Sequence, residues 1–235
     1  MRKKVAVVSI IICLLIIMIP DKPKETPKIE QKVTNVKATD INTTATVKEE
    51  KKNEDEKFTL SIDNLIKNEK VMQTTDNEFY MNHNDQKENF IGGSLFVDYR
   101  INLTNTRKII IYGHSSSTVD IPFTKLLGYK KQSFLISHPN IELTYKDKKE
   151  IYQIFTIMLL KEDYFYTRLA LDDEKFIKHL EELKKKSIYD TGINIENTNK
   201  ILILQTCSQD EDGQYLVIGA KLKEIIWLKD YFLWV

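Results

Sequence analysis

Lys200-Ile-Leu-Ile-Leu-Gln-Thr-Cys207 is a run of alternating Ile and Leu that ends on a thiol. An aliphatic, partly β-branched run of this length reads as a strand buried on both faces. The chain turns polar at once, through Ser208, Gln209, Asp210, Glu211, Asp212 and Gly213, so Cys207 falls where a buried strand meets a surface loop. A rigid strand end is a good mount for a nucleophile. Taken alone, the thiol reads more simply as a small buried apolar residue, because free cysteine is among the most buried residue types. A second stretch changes that balance. Lys108-Ile-Ile-Ile-Tyr-Gly-His114 is another buried-strand pattern, and it ends on a histidine. Two strands that each deliver one member of a Cys–His pair form a constellation.

The rest of the chain fits around that pair. Its 235 residues carry a formal net charge of +1, so no global field points to nucleic acid. Met1-Arg-Lys-Lys4 is a positive cluster, and Val5 to Pro20 contain no charge. As a helix these residues would span about 24 Å at ~1.5 Å each, against a hydrocarbon core of ~30 Å, and Lys3 and Lys4 can snorkel to make up the difference. The run suits a signal peptide or an uncleaved anchor. No small-x-small cleavage pattern follows it, which favours the anchor. Residues 1–4 would then be cytoplasmic, 5–20 a transmembrane signal-anchor, and the remainder extracellular. Cys13 falls inside that span and reads as a membrane-buried small residue, which leaves Cys207 as the one thiol of the folded part.

Residues 21–57 contain no aromatic residue, include Pro23 and Pro27, and mix Lys with Glu. Such a segment cannot bury enough apolar surface to fold, and it reads as a disordered stalk. From Phe58 the pattern becomes that of a folded domain, 58–222. Strands are expected at Phe58–Ile62, Gly93–Tyr99, Lys108–Gly113, Phe134–Ile136, Ile141–Tyr145, Ile151–Met158, Ile201–Thr206 and Tyr215–Leu222. Ile121–Tyr129 has helical spacing, and Glu78–Asn84 reads as a short helix or turn. Asp172–Ser187 is a clear helix, opening on acids, closing on Lys184, Lys185 and Lys186, and carrying the stripe Phe176, Leu180, Leu183. The fold expected is mainly β with a few helices, an eight-stranded closed or nearly closed barrel.

Residues 223–235 form an apolar tail too short to span a bilayer. Packing on the barrel is its first reading and an interfacial membrane contact its second, given Trp227, Tyr231 and Trp234. His83 and His138 read as makers of structural hydrogen bonds, and His179 as a surface residue of the helix. Asp98 and Arg100 read as structural. The acids Asp210 to Asp212 read as a solvated loop rather than a calcium site, so no metal and no cofactor is expected.

Six blocks together resemble a class B sortase: Phe79-Tyr-Met-Asn-His-Asn84, Gly93-Ser-Leu-Phe-Val-Asp-Tyr-Arg100, Ile111-Tyr-Gly-His114, His138-Pro-Asn-Ile141, Ser187-Ile-Tyr-Asp190 and Leu204-Gln-Thr-Cys207. The resemblance covers essentially all of 58–222 and implies a sortase-like barrel with a long helix before the cysteine-bearing strand. It implies a transpeptidase that cuts a sorting motif, Asn-Pro-x-Thr-x-like, after the Thr. The new carboxyl end is then joined to an amine of a cell-wall precursor or a pilin. Surface proteins bearing that motif would be its partners, on the outer face of a Gram-positive membrane, with Cys207 as nucleophile and His114 as acid and base. One departure stands out. The family carries an arginine early in the strand after the cysteine, and that position is Tyr215 here, or Gln214 if the strand bulges by one residue. Both can donate a hydrogen bond and neither is charged. A catalytically impaired domain that binds sorting peptides or wall components is therefore the alternative reading.

Overall fold

A computed structural model describes residues 53–228 apart from residue 170. Eight strands close into a barrel: β1 (Glu56–Ile62), β2 (Ile66–Met72), β3 (Leu95–Val97), β4 (Lys108–Tyr112), β5 (Asn140–Thr144), β6 (Lys148–Lys161), β7 (Ile201–Cys207) and β8 (Gln214–Trp227). Around the barrel they run β1-β2-β3-β4-β7-β8-β6-β5. The two quoted stretches, β4 and β7, lie side by side and parallel, from Lys108 opposite Ile201 to Tyr112 opposite Gln205. Ile109, Ile110, Ile111, Ile201, Leu202, Ile203 and Leu204 are all fully buried. That is why neither stretch shows polar alternation: both faces of this central pair are covered.

Helix α1 (Gln132–Ser137) lies between β4 and β5 in the chain, and α2 (Asp173–Lys185) between β6 and β7, before the cysteine-bearing strand. Asp172 caps α2, its carboxylate accepting from the Lys175 backbone N–H at 2.9 Å. The Thr156 hydroxyl donates to the carbonyl of Leu183 at 2.8 Å, fixing the helix to β6.

Several expectations need correction. Phe134–Ile136 is not a strand but the middle of α1, with Leu135 buried and Ile136 exposed. A run of three apolar residues has no readable period. The Pro122–Lys130 segment forms tight 3₁₀ turns. The boundary of the expected stalk moves as well. Strand β1 starts at Glu56, and Asn53 already donates to the Tyr80 hydroxyl and to the carbonyl of Asp85, both at 2.8 Å. At the other end β8 continues past Leu222 to Trp227, because β6 begins at Lys148 and supplies partners as far as that pair. The first five residues of the expected tail are thus strand. His179 is not on the surface: it is 3% exposed, one helical turn from Phe176 and on the same stripe. The expected cytoplasmic end and signal-anchor, stalk residues up to 52, and tail residues 229–235 lie outside the described residues. Among the described residues no helix is long and apolar enough to cross a membrane.

Candidate active site

Strand ends bring the pair together. Tyr112 sits opposite Gln205, and the next residue, Gly113, donates its N–H to the Gln205 carbonyl at 3.2 Å. Glycine is required there. A Cβ would come within 2.5 Å of Leu95 Cδ2 and 2.7 Å of Phe123 Cδ2, so any side chain would push the strand end away. His114 follows directly. On the neighbouring strand pair, Cys207 lies opposite Tyr215. Residues directly opposite in an antiparallel pair project to the same face.

His114, Cys207 and Tyr215 line one cavity of about 250 Å³, whose walls also include Met81, Phe96, Tyr112 and Thr206. A larger hollow, about 940 Å³, lies beside the β1–β2 turn, where Asp63, Lys67 and Glu69 line it. It holds neither the thiol nor the histidine, so size alone does not locate the chemistry.

Several members of the cavity wall are tied down. His114 Nε2 lies 2.8 Å from the carbonyl oxygen of Met81. A carbonyl only accepts, so Nε2 carries the hydrogen and Nδ1 is the nitrogen left to exchange a proton. The Ser115 hydroxyl donates to the Cys207 carbonyl at 2.8 Å. Beyond Cys207 the polar loop is held by Lys130, which donates to the Ser208 carbonyl at 2.5 Å and pairs with Asp210 at 2.7 Å. Glu211 pairs with Lys161, so two of the three loop acids have cationic partners rather than water alone.

Beneath the cavity, Tyr112 donates to Asp98 at 2.9 Å, and Arg100 bonds both oxygens of the same carboxylate. Burial would raise the Asp98 carboxyl, but the Arg100 guanidinium and backbone N–H, with the Tyr112 hydroxyl, hold it below the usual range. Asp98 and Arg100 are thus structural, fixing the strand that leads to His114. The Cys207 residue is exposed, yet the cavity walls take enough water from its sulfur to push the thiol up. Tyr215 is pushed up too, first by burial and then by Tyr164, whose ring centroid lies 6.0 Å away.

His83 and His138 behave as expected, each with Nδ1 against the carbonyl four residues earlier, at 2.7 and 3.1 Å. Gln214 does not line the cavity. Met81 and Thr206 were missed by sequence reasoning. The buried Thr206 hydroxyl has no partner among the described residues, but nothing distinguishes it in sequence from a structural threonine.

No family model matches the sequence. Sortase B of Staphylococcus aureus is 30% identical over 181 residues, which cover 75% of this chain and 73% of that protein. The chain belongs to the sortase B family. Sortase B of Listeria monocytogenes is 28% identical over 156 residues, and the match spans 63% of that protein's length. Among solved structures, S. aureus sortase B has a TM-score of 0.68 at 30% identity, covering 74% of this chain and 84% of that one. Clostridium perfringens sortase B has a TM-score of 0.66 at 27% identity, covering 72% and 94%. The eight-stranded barrel of this sortase is therefore the barrel of its relatives.

Proposed function

We propose that this sortase B family member is a membrane-anchored cysteine transpeptidase, with Cys207 as nucleophile and His114 as acid and base. The observation that carries the reading is that Cys207, His114 and Tyr215, from three strand ends, line one cavity. A related S. aureus sortase B is known in complex with a substrate. In the reading offered here the substrate is a protein with a C-terminal Asn-Pro-x-Thr-x-like motif. The Cys207 thiol gives its proton to His114 as the sulfur attacks the Thr carbonyl carbon, the C–N bond breaks, and His114 passes that proton to the departing amine. An amine of a cell-wall precursor or a pilin then attacks the thioester. His114 takes a proton from that amine and returns it to the sulfur as the thiol is released.

The amino-terminal sixteen-residue apolar run would hold the enzyme in the membrane of a Gram-positive type cell, with the segment after it as a stalk. Tyr215 takes the place of the family's arginine as the donor facing the developing oxyanion. It lies opposite Cys207 and on the same cavity wall, whereas Gln214 does not.

The cavity wall holds no arginine among the described residues, and that favours one alternative, an impaired domain that binds sorting peptides or wall components without cutting them. Mass spectrometry separates the two. The full chain in detergent, incubated with a panel of sorting peptides, is expected to gain the mass of the peptide's acyl portion on Cys207. Retained peptide binding with no adduct across the panel would favour the binder. Cys207→Ala should form no adduct, and His114→Ala should nearly abolish peptide cleavage.

A further inference from the structure

The far end of β8 carries apolar residues that the barrel leaves uncovered. Ile225, Ile226, Trp227 and Leu228 are all exposed, Trp227 at 64%. Successive residues of a strand face opposite sides, so both faces of this ribbon end are apolar. The sequence continues Lys229-Asp-Tyr-Phe-Leu-Trp-Val235, in the same character. A contiguous apolar surface of this kind marks an interaction site.

Topology says what lies next to it. Strand β1 is antiparallel to β5, β5 to β6, and β6 to β8, so the start of β1 and the end of β8 share one end of the barrel. Side chains connect them: the Phe58 and Tyr145 rings are 4.9 Å apart, and Lys148 Nζ lies 4.8 Å from the Tyr145 ring and 5.9 Å from that of Trp227. The described domain therefore begins at the end of the barrel from which the apolar ribbon leaves it. The cavity lies at the other end of β8. Twelve residues separate Tyr215 from Trp227, up to about 40 Å at ~3.3 Å per residue.

We propose that the exposed end of β8 rests in the interfacial layer of the lipid bilayer that the amino-terminal segment enters. It would seat the barrel with its cavity turned away from the membrane. Tryptophan is enriched at this depth, where an amphipathic ring meets both headgroups and hydrocarbon. Around the ribbon, Lys146 and Lys223 stand beside Asp147 and Glu224, while Lys148 and Lys149 are paired with Glu150 and Glu142. No one-signed patch calls for anionic lipid, and the contact is apolar and should persist in high salt. The inference rests on the membrane attachment proposed above, which is checked separately.

Trp227 and Trp234 are the chain's two tryptophans, so a full chain bearing Trp234→Phe has Trp227 as its single probe. It would be reconstituted in phosphatidylcholine vesicles and floated on a density gradient, which tests attachment. On floated material, emission should shift to the blue on reconstitution, and lipids brominated in the upper acyl chain should quench at least half of it, in low and high salt alike. Quenching by aqueous acrylamide with no effect of brominated lipid would overturn the proposal. So would shielding from both quenchers, because Trp227 would then be covered by the chain's own tail or by a second copy. Failure to float would sink the attachment and this contact together, while leaving the chemistry at Cys207 untouched.

Discussion

The Ser115 hydroxyl donates to the carbonyl of Cys207 at 2.8 Å, so the residue after the histidine holds the backbone of the thiol. This bond crosses between the ends of two parallel strands, where the regular ladder has stopped. It fixes the separation of the proposed nucleophile and proton carrier without touching either reactive atom. Ser115 is accordingly a positioning residue.

Ser115→Ala should lower kcat/KM for a sorting peptide by about twofold to tenfold, since one net hydrogen bond is worth ~0.5–1.5 kcal/mol. The loss should fall on kcat, with KM little changed, and Ser115→Thr should restore it. A fall confined to KM would mean that the serine touches substrate instead.

Tyr215→Phe should reduce kcat/KM by roughly tenfold to a thousandfold if the phenol stabilises the oxyanion. Gln214→Ala should do little, because Gln214 is off the cavity wall. Tyr215→Arg should hold or raise activity if its fork reaches the carbonyl oxygen, because a charged donor is the stronger one. Equal rates for Tyr215→Phe and wild type would assign the donors to backbone N–H groups.

The pushed-up Cys207 thiol makes a pH prediction. Because the thiolate is the reacting form, iodoacetamide alkylation at Cys207 should rise with pH along a curve displaced to the alkaline side of free cysteine. Rapid alkylation already present in mild acid would show instead a thiolate paired with imidazolium in the resting protein.

A second titration lies outside the cavity. Lys108 Nζ donates to the carbonyl of Arg168 at 2.9 Å and sits 2.8 Å from His179 Nε2. Burial, then the charges of Arg168 and Arg100, lowers Lys108 to about 7, with Asp98 opposing. Burial, then Lys108 and Arg168, lowers His179 to about 3. Both groups bind protons more weakly folded than unfolded, so stability is lost as pH falls through each window. For His179 that window runs from 6.5 down to about 3, and for Lys108 from 10.5 down to about 7. The urea midpoint should therefore fall between pH 6.5 and 4, and less steeply in His179→Gln, which keeps an acceptor for Lys108 but does not titrate there. Parallel slopes in the two proteins would assign the acid loss to carboxylates.

The barrel and the Cys–His pair were legible because β4 and β7 advertise burial on both faces and then stop at a chemically distinct residue. The wall of the cavity was harder to see. Met81 contributes a backbone carbonyl, which no side-chain pattern encodes, and it comes from a turn that reaches the site through the pairing of β3 with β4. His179 was misplaced because a histidine on a helix reads as polar, although its spacing from Phe176 put it on the buried stripe. Tyr215 was recoverable by counting back along β8, since that strand has no bulge between Tyr215 and Ala220.

The parallel pairing of β4 with β7 joins residues about ninety positions apart, and β7 is held on its other side by β8. Closing so long a loop costs chain entropy before any contact repays it. No fragment that ends before β8 therefore holds a complete cavity, because Tyr215 on β8 is part of its wall. A chain still being made would lack the site. On the reading proposed above, onset of turnover would report barrel closure, a delay against acting before the chain is whole.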